Sequence, residues 1–227
     1  KPVTEVQLRS AIVNFYFSGA LTFCEPYGSG YINDTYLLKF DTEDGIKKVI
    51  LQRINTDILT NPKELMENIS GVTSFLRNRI LKRGGDPERE TLNVLPTRDG
   101  NTYYEDKDGG CWRAYQFITD AFSYDQVEKP EDFYQSAYAF GNFQCLLEDY
   151  PAETLHETIK RFHDTKARLQ VFKEAVAEDR LGRACGVQDE IRFILEREEI
   201  ADCFPDLLKR KKIPLRVTHN DTKLNNI

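Results

Sequence analysis

His219, Asp221 and Asn226 are spaced H-x-D-x-x-x-x-N in the closing stretch of the chain. A loop with that spacing can aim a carboxylate at an acceptor hydroxyl while the Asn, farther along, turns back toward a metal ion. Phosphoryl transfer uses this device: the Asp orients the hydroxyl and accepts its proton, and the Asn holds Mg²⁺. Lys223, two residues after Asp221, is placed to neutralise charge on a transferring phosphoryl group. The same residues also suit a plain polar turn with an Asx cap at Asn220 or Asp221. Gly28-Ser29-Gly30 is the second signal, because glycines let a backbone approach phosphates closely. No Gly-Lys-Ser/Thr follows it, which excludes a Walker-type phosphate loop. The residues after it read as a hairpin rather than a helix, which excludes a dinucleotide fingerprint.

These residues need elements to hold them. Thr4 and Gln7 form a capping box for a first helix with Leu8, Ala11, Ile12 and Phe15 on one face and Gly19 as its stop. After the glycine stretch, β-type runs at 35–40 and 47–53 flank a turn composition at 41–45 and read as a hairpin. Asn61 and Pro62 open a second helix with the stripe Leu65, Ile69, Val72, Leu76 and Ile80, closed by Gly84-Gly85-Asp86-Pro87. Short strands at 102–105 and 111–118 follow. Helices are expected at 130–150, with its aromatic run from Phe133 to Phe143 in the core, and at 165–179 and 187–204. His163-Asp164-Thr165 fits an N-cap for the second of these, or a trio touching a sugar. Trp112, Arg113 and Tyr115 either line a cleft or pack the core. The basic run 209–212 reads as a solvated linker. Strands in the first half and helices in the second predict an α+β chain of two lobes, 1–118 and 119–227, with a cleft between them.

Composition narrows the function further. The chain has 227 residues and a formal net charge of −6, with 40% hydrophobic and 30% charged residues. That is the balance of an ordinary globular protein. An acidic surface argues against nucleic acid as the main partner. No apolar run is long enough to cross a bilayer, so a membrane partner is not expected either. The opening residues lack the apolar core of a signal peptide, and the missing initiator Met reads as a trimmed or partly ordered start. Five scattered cysteines without a CxxC pair read as small buried thiols in a reducing, cytoplasmic setting. With three histidines in the chain, a His-rich metal site is not expected.

The blocks 25–36 (EPYGSGYINDTY), 50–55 (ILQRIN), 112–118 (WRAYQFI), 161–165 (RFHDT) and 215–227 (LRVTHNDTKLNNI) carry a resemblance. The chain resembles the N-acetylhexosamine 1-kinases, anomeric sugar kinases within the wider aminoglycoside/choline phosphotransferase-like group. The resemblance implies a bilobal, protein-kinase-like fold with a strand-rich N-terminal lobe and a helical C-terminal lobe. It implies transfer of the γ-phosphoryl of ATP, with Mg²⁺, to the C1 hydroxyl of a small-molecule sugar, N-acetylglucosamine or N-acetylgalactosamine, in amino sugar salvage. By the same resemblance Asp221 is the catalytic base, His219 braces the loop and Asn226 is a magnesium ligand. Gly28 and Gly30 cover the phosphates, with Asn33 and Thr35 beside them. Gln116, Phe117 and Ile118 form the hinge that bonds adenine.

Two departures accompany the resemblance. Protein kinases place a Lys on the strand equivalent to 49–52, where this chain has Gln52 with Arg53 adjacent. Alternation allows only one of the two to face a cleft, and Gln52 is the expected one. Its helix partner, Glu64 or Glu67, is then less needed. The family's second magnesium-binding Asp and much of its sugar pocket lie past the catalytic loop, whereas this chain stops at Ile227. The expectation is a fragment that does not turn over by itself. Two other functions fit the same residues: an aminoglycoside, choline or homoserine kinase, and a kinase-like binding module without catalysis.

Overall fold

The computed structural model describes residues 2–28, 30, 32–121, 124 and 126–226. Ser29 and Tyr31 of the glycine stretch and the terminal Ile227 therefore lie outside the described residues. Residues 1–158 with 216–227 form one compact unit and residues 159–215 another. The lobe boundary expected at 118/119 falls inside the first unit.

Helix α1 (Glu5–Asn14) starts on the Thr4 capping box and ends with Phe15 already extended, before the expected stop at Gly19. Gly19 has a different task. Its φ is +88°, and a Cβ there would meet the Asp41 carbonyl oxygen at 2.1 Å. It lets the chain turn tightly into β1 (Ala20–Pro26), a strand the sequence pattern did not announce. β2 (Asp34–Thr42) and β3 (Gly45–Ile54) form the expected hairpin. The glycine stretch thus joins β1 to β2. A bulge interrupts β1 between Leu21 and Phe23.

Helices α2 (Pro62–Lys82) and α3 (Pro87–Glu90) follow, each with proline in its first turn and an Asn61 or Asp86 cap. β4 (Val94–Leu95), β5 (Tyr104–Glu105) and β6 (Cys111–Gln116) complete an antiparallel sheet of order β1-β2-β3-β6-β4, with β5 also on β6. One face buries Leu38, Phe40, Val49, Leu51, Trp112 and Ala114 against Ala11 of α1 and Phe15 just after it. Removing such a side chain, as in Leu51→Ala, costs about 2–5 kcal/mol. On the other face Ile54 and Cys111 meet Met66 of α2. The remainder of that second face is left for the site.

α4 (Pro130–Leu146) ends at its Leu147 cap, before the expected Tyr150, whose own helical backbone Pro151 disfavours. The expectation of an aromatic core along α4 fails in part: Phe133, Tyr134 and Tyr138 are 64%, 60% and 63% exposed. Leu146 and Leu147 do pack with Leu76 and Ile80 of α2 and with Val217.

In the second unit, Asp164 caps α5 (Thr165–Glu178), accepting from the Ala167 amide at 2.9 Å. The helix expected at 187–204 is instead α6 (Gln188–Leu195), a 3₁₀ turn at Glu198–Asp202 and α7 (Cys203–Lys209). Pro205 is tolerated only in a first turn, so a new helix has to start just ahead of it. The thiols also depart from expectation: Cys111 is buried and Cys24 half-buried, but Cys145, Cys185 and Cys203 are exposed. Among the described residues no helix is long and apolar enough to cross a membrane.

Candidate active site

The free part of the sheet's second face carries a cavity of about 380 Å³, lined by Tyr27, Gly28, Gly30, Thr35, Ile50, Leu92, Tyr115, Gln116, Phe117 and Ile118. The register explains how distant stretches meet there. Thr35 stands opposite Gln52, and Gln52 opposite Arg113. In the next row, Leu37 stands opposite Ile50, and Ile50 opposite Tyr115. Side chains alternate, so Thr35, Ile50, Gln52, Arg113 and Tyr115 all share this face.

Gly28 has φ +81°, which a residue with a Cβ adopts only under strain. The turn it makes is anchored by the Tyr27 amide donating to the Thr35 carbonyl at 2.8 Å. The Tyr27 ring meets Phe117 edge to face, with centroids 5.7 Å apart. One aromatic contact therefore joins the glycine turn to the segment 116–118. In that segment the Gln116 amide is used by the Asn93 carbonyl (2.9 Å) and the Phe117 amide by the Lys48 carbonyl (3.1 Å). The Ile118 amide has no backbone partner among the described residues. Aromatic and aliphatic side chains thus line the cavity, with the Ile118 amide at its rim.

Two expected cofactor residues do not line this cavity. Asn33 faces the strand end, its Oδ1 accepting from the Asn55 amide at 2.9 Å. Gln52 shares the cavity's face of the sheet without lining it, and donates to Thr35 Oγ1 at 2.8 Å. Arg53 sits on the opposite face, paired with Asp34 at 2.7 Å. Glu67 is engaged by His156 Nε2 at 2.8 Å, so it is no partner for Gln52.

The loop 218–226 is built by its own bonds. Val217 is buried in the cluster beneath it. His219 is wedged edge-on between Phe140 and Phe143, with centroids 5.1 and 5.9 Å away. Asn220 takes φ +63°, and its Oδ1 accepts from Thr218 Oγ1 at 2.6 Å. Asp221 then receives Asn226 Nδ2 on both its backbone carbonyl and its Oδ2, at 2.8 Å each. Lys223 Nζ lies 3.5 Å from the same carboxylate. The Asn226 hydrogen bond, followed by the Lys223 and His219 charges, holds the Asp221 carboxyl below the usual carboxylate range. Such a group is ionised and exposed. It can accept a hydroxyl hydrogen bond and aim the oxygen, but it is a weak base.

For Mg²⁺ the chain offers the Asn226 carboxamide oxygen and the neighbouring Asp221 carboxylate. Among the described residues no group of three His, Cys, Asp or Glu is assembled. Mg²⁺ accepts one or two protein ligands together with substrate phosphates and waters, so this pair fits part of its shell. The cavity under the glycine turn is lined without residues of the 218–226 loop.

Sequence reasoning assigned no role to Tyr27 or Leu92, and left Tyr115 open between cleft and core; the cavity lining includes all three. Alternation along β6 puts Tyr115 on the face opposite Trp112 and Ala114, which are fully buried against α1.

No protein-family model matches the chain. Among solved structures it is similar to an aminoglycoside phosphotransferase from Alicyclobacillus acidocaldarius, with 12% identity and a TM-score of 0.51 over 85% of this chain and 51% of that one. It is likewise similar to a spectinomycin phosphotransferase solved with ADP and spectinomycin, with 13% identity and a TM-score of 0.52 over 100% of this chain and 65% of that one. The fold is thus the α+β, kinase-like fold of aminoglycoside phosphotransferases. The chain spans between 51% and 65% of the length of these two structures.

Proposed function

We propose that the chain carries the nucleotide site and catalytic loop of an ATP-dependent kinase acting on a small molecule. The cavity supports this reading, because Gly28, Gly30 and Thr35 line it together with the hinge residues 116–118. The base of ATP would enter the slot beside Phe117, with its phosphates running under the glycine turn. Mg²⁺, held by Asn226 and the phosphates, would draw charge off the transferring group. Asp221 would orient the acceptor hydroxyl and take up its proton as the oxygen attacks the γ-phosphorus. The bond to the β-phosphate oxygen breaks, ADP leaves, and Lys223 offsets charge beside the carboxylate.

The finer reading is phosphorylation of the anomeric C1 hydroxyl of an N-acetylhexosamine, giving a sugar 1-phosphate. It rests on the sequence blocks that resemble the anomeric sugar kinases. A hemiacetal hydroxyl is more acidic than an ordinary alcohol, which suits a weak base such as Asp221. The second reading, an aminoglycoside acceptor, is favoured by the names of the two similar structures. ADP release assayed across N-acetylhexosamines, aminoglycosides, choline and homoserine, with mass analysis of the product, separates the two. Turnover with an N-acetylhexosamine alone supports the first. Turnover only with a cationic acceptor replaces it, and no ATP binding sinks both.

A further inference from the structure

Arg113 stands in the row of the sheet nearest the glycine turn, with Gln52 and then Thr35 beside it. Its Nε and Nη2 converge on Gln52 Oε1 at 2.9 and 2.6 Å. Gln52 Nε2 in turn donates to Thr35 Oγ1 at 2.8 Å. All the partners in this row are neutral. Among the described residues no carboxylate pairs with the guanidinium. Burial pushes its pKa below the usual arginine range, opposed by Tyr115. Arginine nonetheless stays protonated in proteins. A cation withdrawn from water without a counter-ion is costly, and an anionic ligand would offset that cost.

Position says which anion. Gln116 lies three residues after Arg113 on β6, about 10 Å at ~3.3 Å per residue. With a base in the slot at 116–118, the strand runs from the base end toward Thr35 and the glycine turn, where phosphates would lie. Gln52, at the kinase lysine position, has no charge to offer them, and Arg53 is committed to Asp34 on the opposite face. We infer that Arg113 supplies, from β6, the cation that binds the phosphates of a nucleoside triphosphate, with Gln52 as the positioning residue that fixes its fork. This inference rests on the kinase reading above.

The test is calorimetric titration of ATP, ADP and adenosine into the wild type, Arg113→Met and Arg113→Lys. Arg113→Met is expected to weaken ATP and ADP binding by about 10–100-fold, the effect of losing one charged contact, with adenosine affinity unchanged. Arg113→Lys keeps a cation but loses the fork, and should lower the ATP-to-adenosine affinity ratio by a smaller factor. If Arg113→Met does not fold by circular dichroism, that ratio in Arg113→Lys decides, and an unchanged ratio overturns the inference. Equal losses for ATP and adenosine overturn it too, by assigning Arg113 a purely structural role. A wild type that binds ATP while Arg113→Met binds it equally well defeats this inference alone. A wild type that binds neither ligand defeats the kinase reading and this inference with it.

Discussion

Asn226 donates one amide group to two oxygens of Asp221, the backbone carbonyl and the carboxylate, at 2.8 Å each. The same Asn expected to face a metal therefore also sets the shape of the loop and the acidity of its carboxyl group.

Asn226→Ala removes the largest influence lowering the Asp221 pKa. The carboxyl should then protonate at a higher pH than in the wild type. NMR titration of the Asp221 carboxyl in the two proteins is expected to show its midpoint displaced upward in the variant. A midpoint that stays in place would show that another group sets its acidity.

Asp221→Asn keeps the size and the loop position but cannot accept a proton. In the full-length enzyme, turnover should fall by at least ~10²-fold, the lower end for losing general base help. Nucleotide binding, followed by titration calorimetry, should persist, because Asp221 does not line the cavity at the glycine turn. Near-normal turnover would remove Asp221 from the chemistry.

Gly28→Ala places a Cβ at φ +81° with open space around it, so the cost is backbone strain and not a clash. Thermal or urea unfolding should show a loss of about 1–2 kcal/mol. ATP affinity should fall as the turn relaxes to negative φ. Gly19→Ala differs in kind, because its Cβ would sit 2.1 Å from the Asp41 carbonyl. It should be much the more destabilising of the two.

Trp112 Nε1 donates to Asp106 Oδ2 at 2.9 Å beneath the sheet. Burial alone would raise the Asp106 pKa, but the bonds from Trp112, Gly110 and Asp108 and the Arg53 charge outweigh it, and the pKa is lowered. A carboxyl with a depressed folded pKa contributes stability that is fully present above its unfolded value, about 3.9, and is lost as the pH falls through the folded value. Asp106→Asn should lower stability at pH 7 by about 1–3 kcal/mol. Urea unfolding at a series of pH values should show the gap closing in acid. A constant gap would contradict the linkage.

The elements with strong local signals were legible in the sequence. The Thr4–Gln7 box, the Asn61-Pro62 start and the Asp164 cap each state their own geometry through side-chain bonds to nearby amides. β1 and β4 were not legible. β4 has two residues, and β1 is defined by its pairing with β2, which no local pattern announces. Within the site, the glycine turn could be named because glycine is a local signal, and the hinge only through the family resemblance. The Arg113–Gln52–Thr35 row could not, because it exists only once three strands are in register. The break within 187–204 needed Pro205 to be read as a helix beginning and not as a helix end.

At the other rim of the sheet, β1 is an outer strand that, among the described residues, pairs only with β2. It is kinked by the bulge at Leu21/Phe23 and finished by Pro26, which has no amide hydrogen to offer. A strand from a neighbouring molecule would find this margin out of step at one end and lacking a donor at the other. Self-templated stacking through that side is thereby discouraged, at the very strand that leads into the glycine turn.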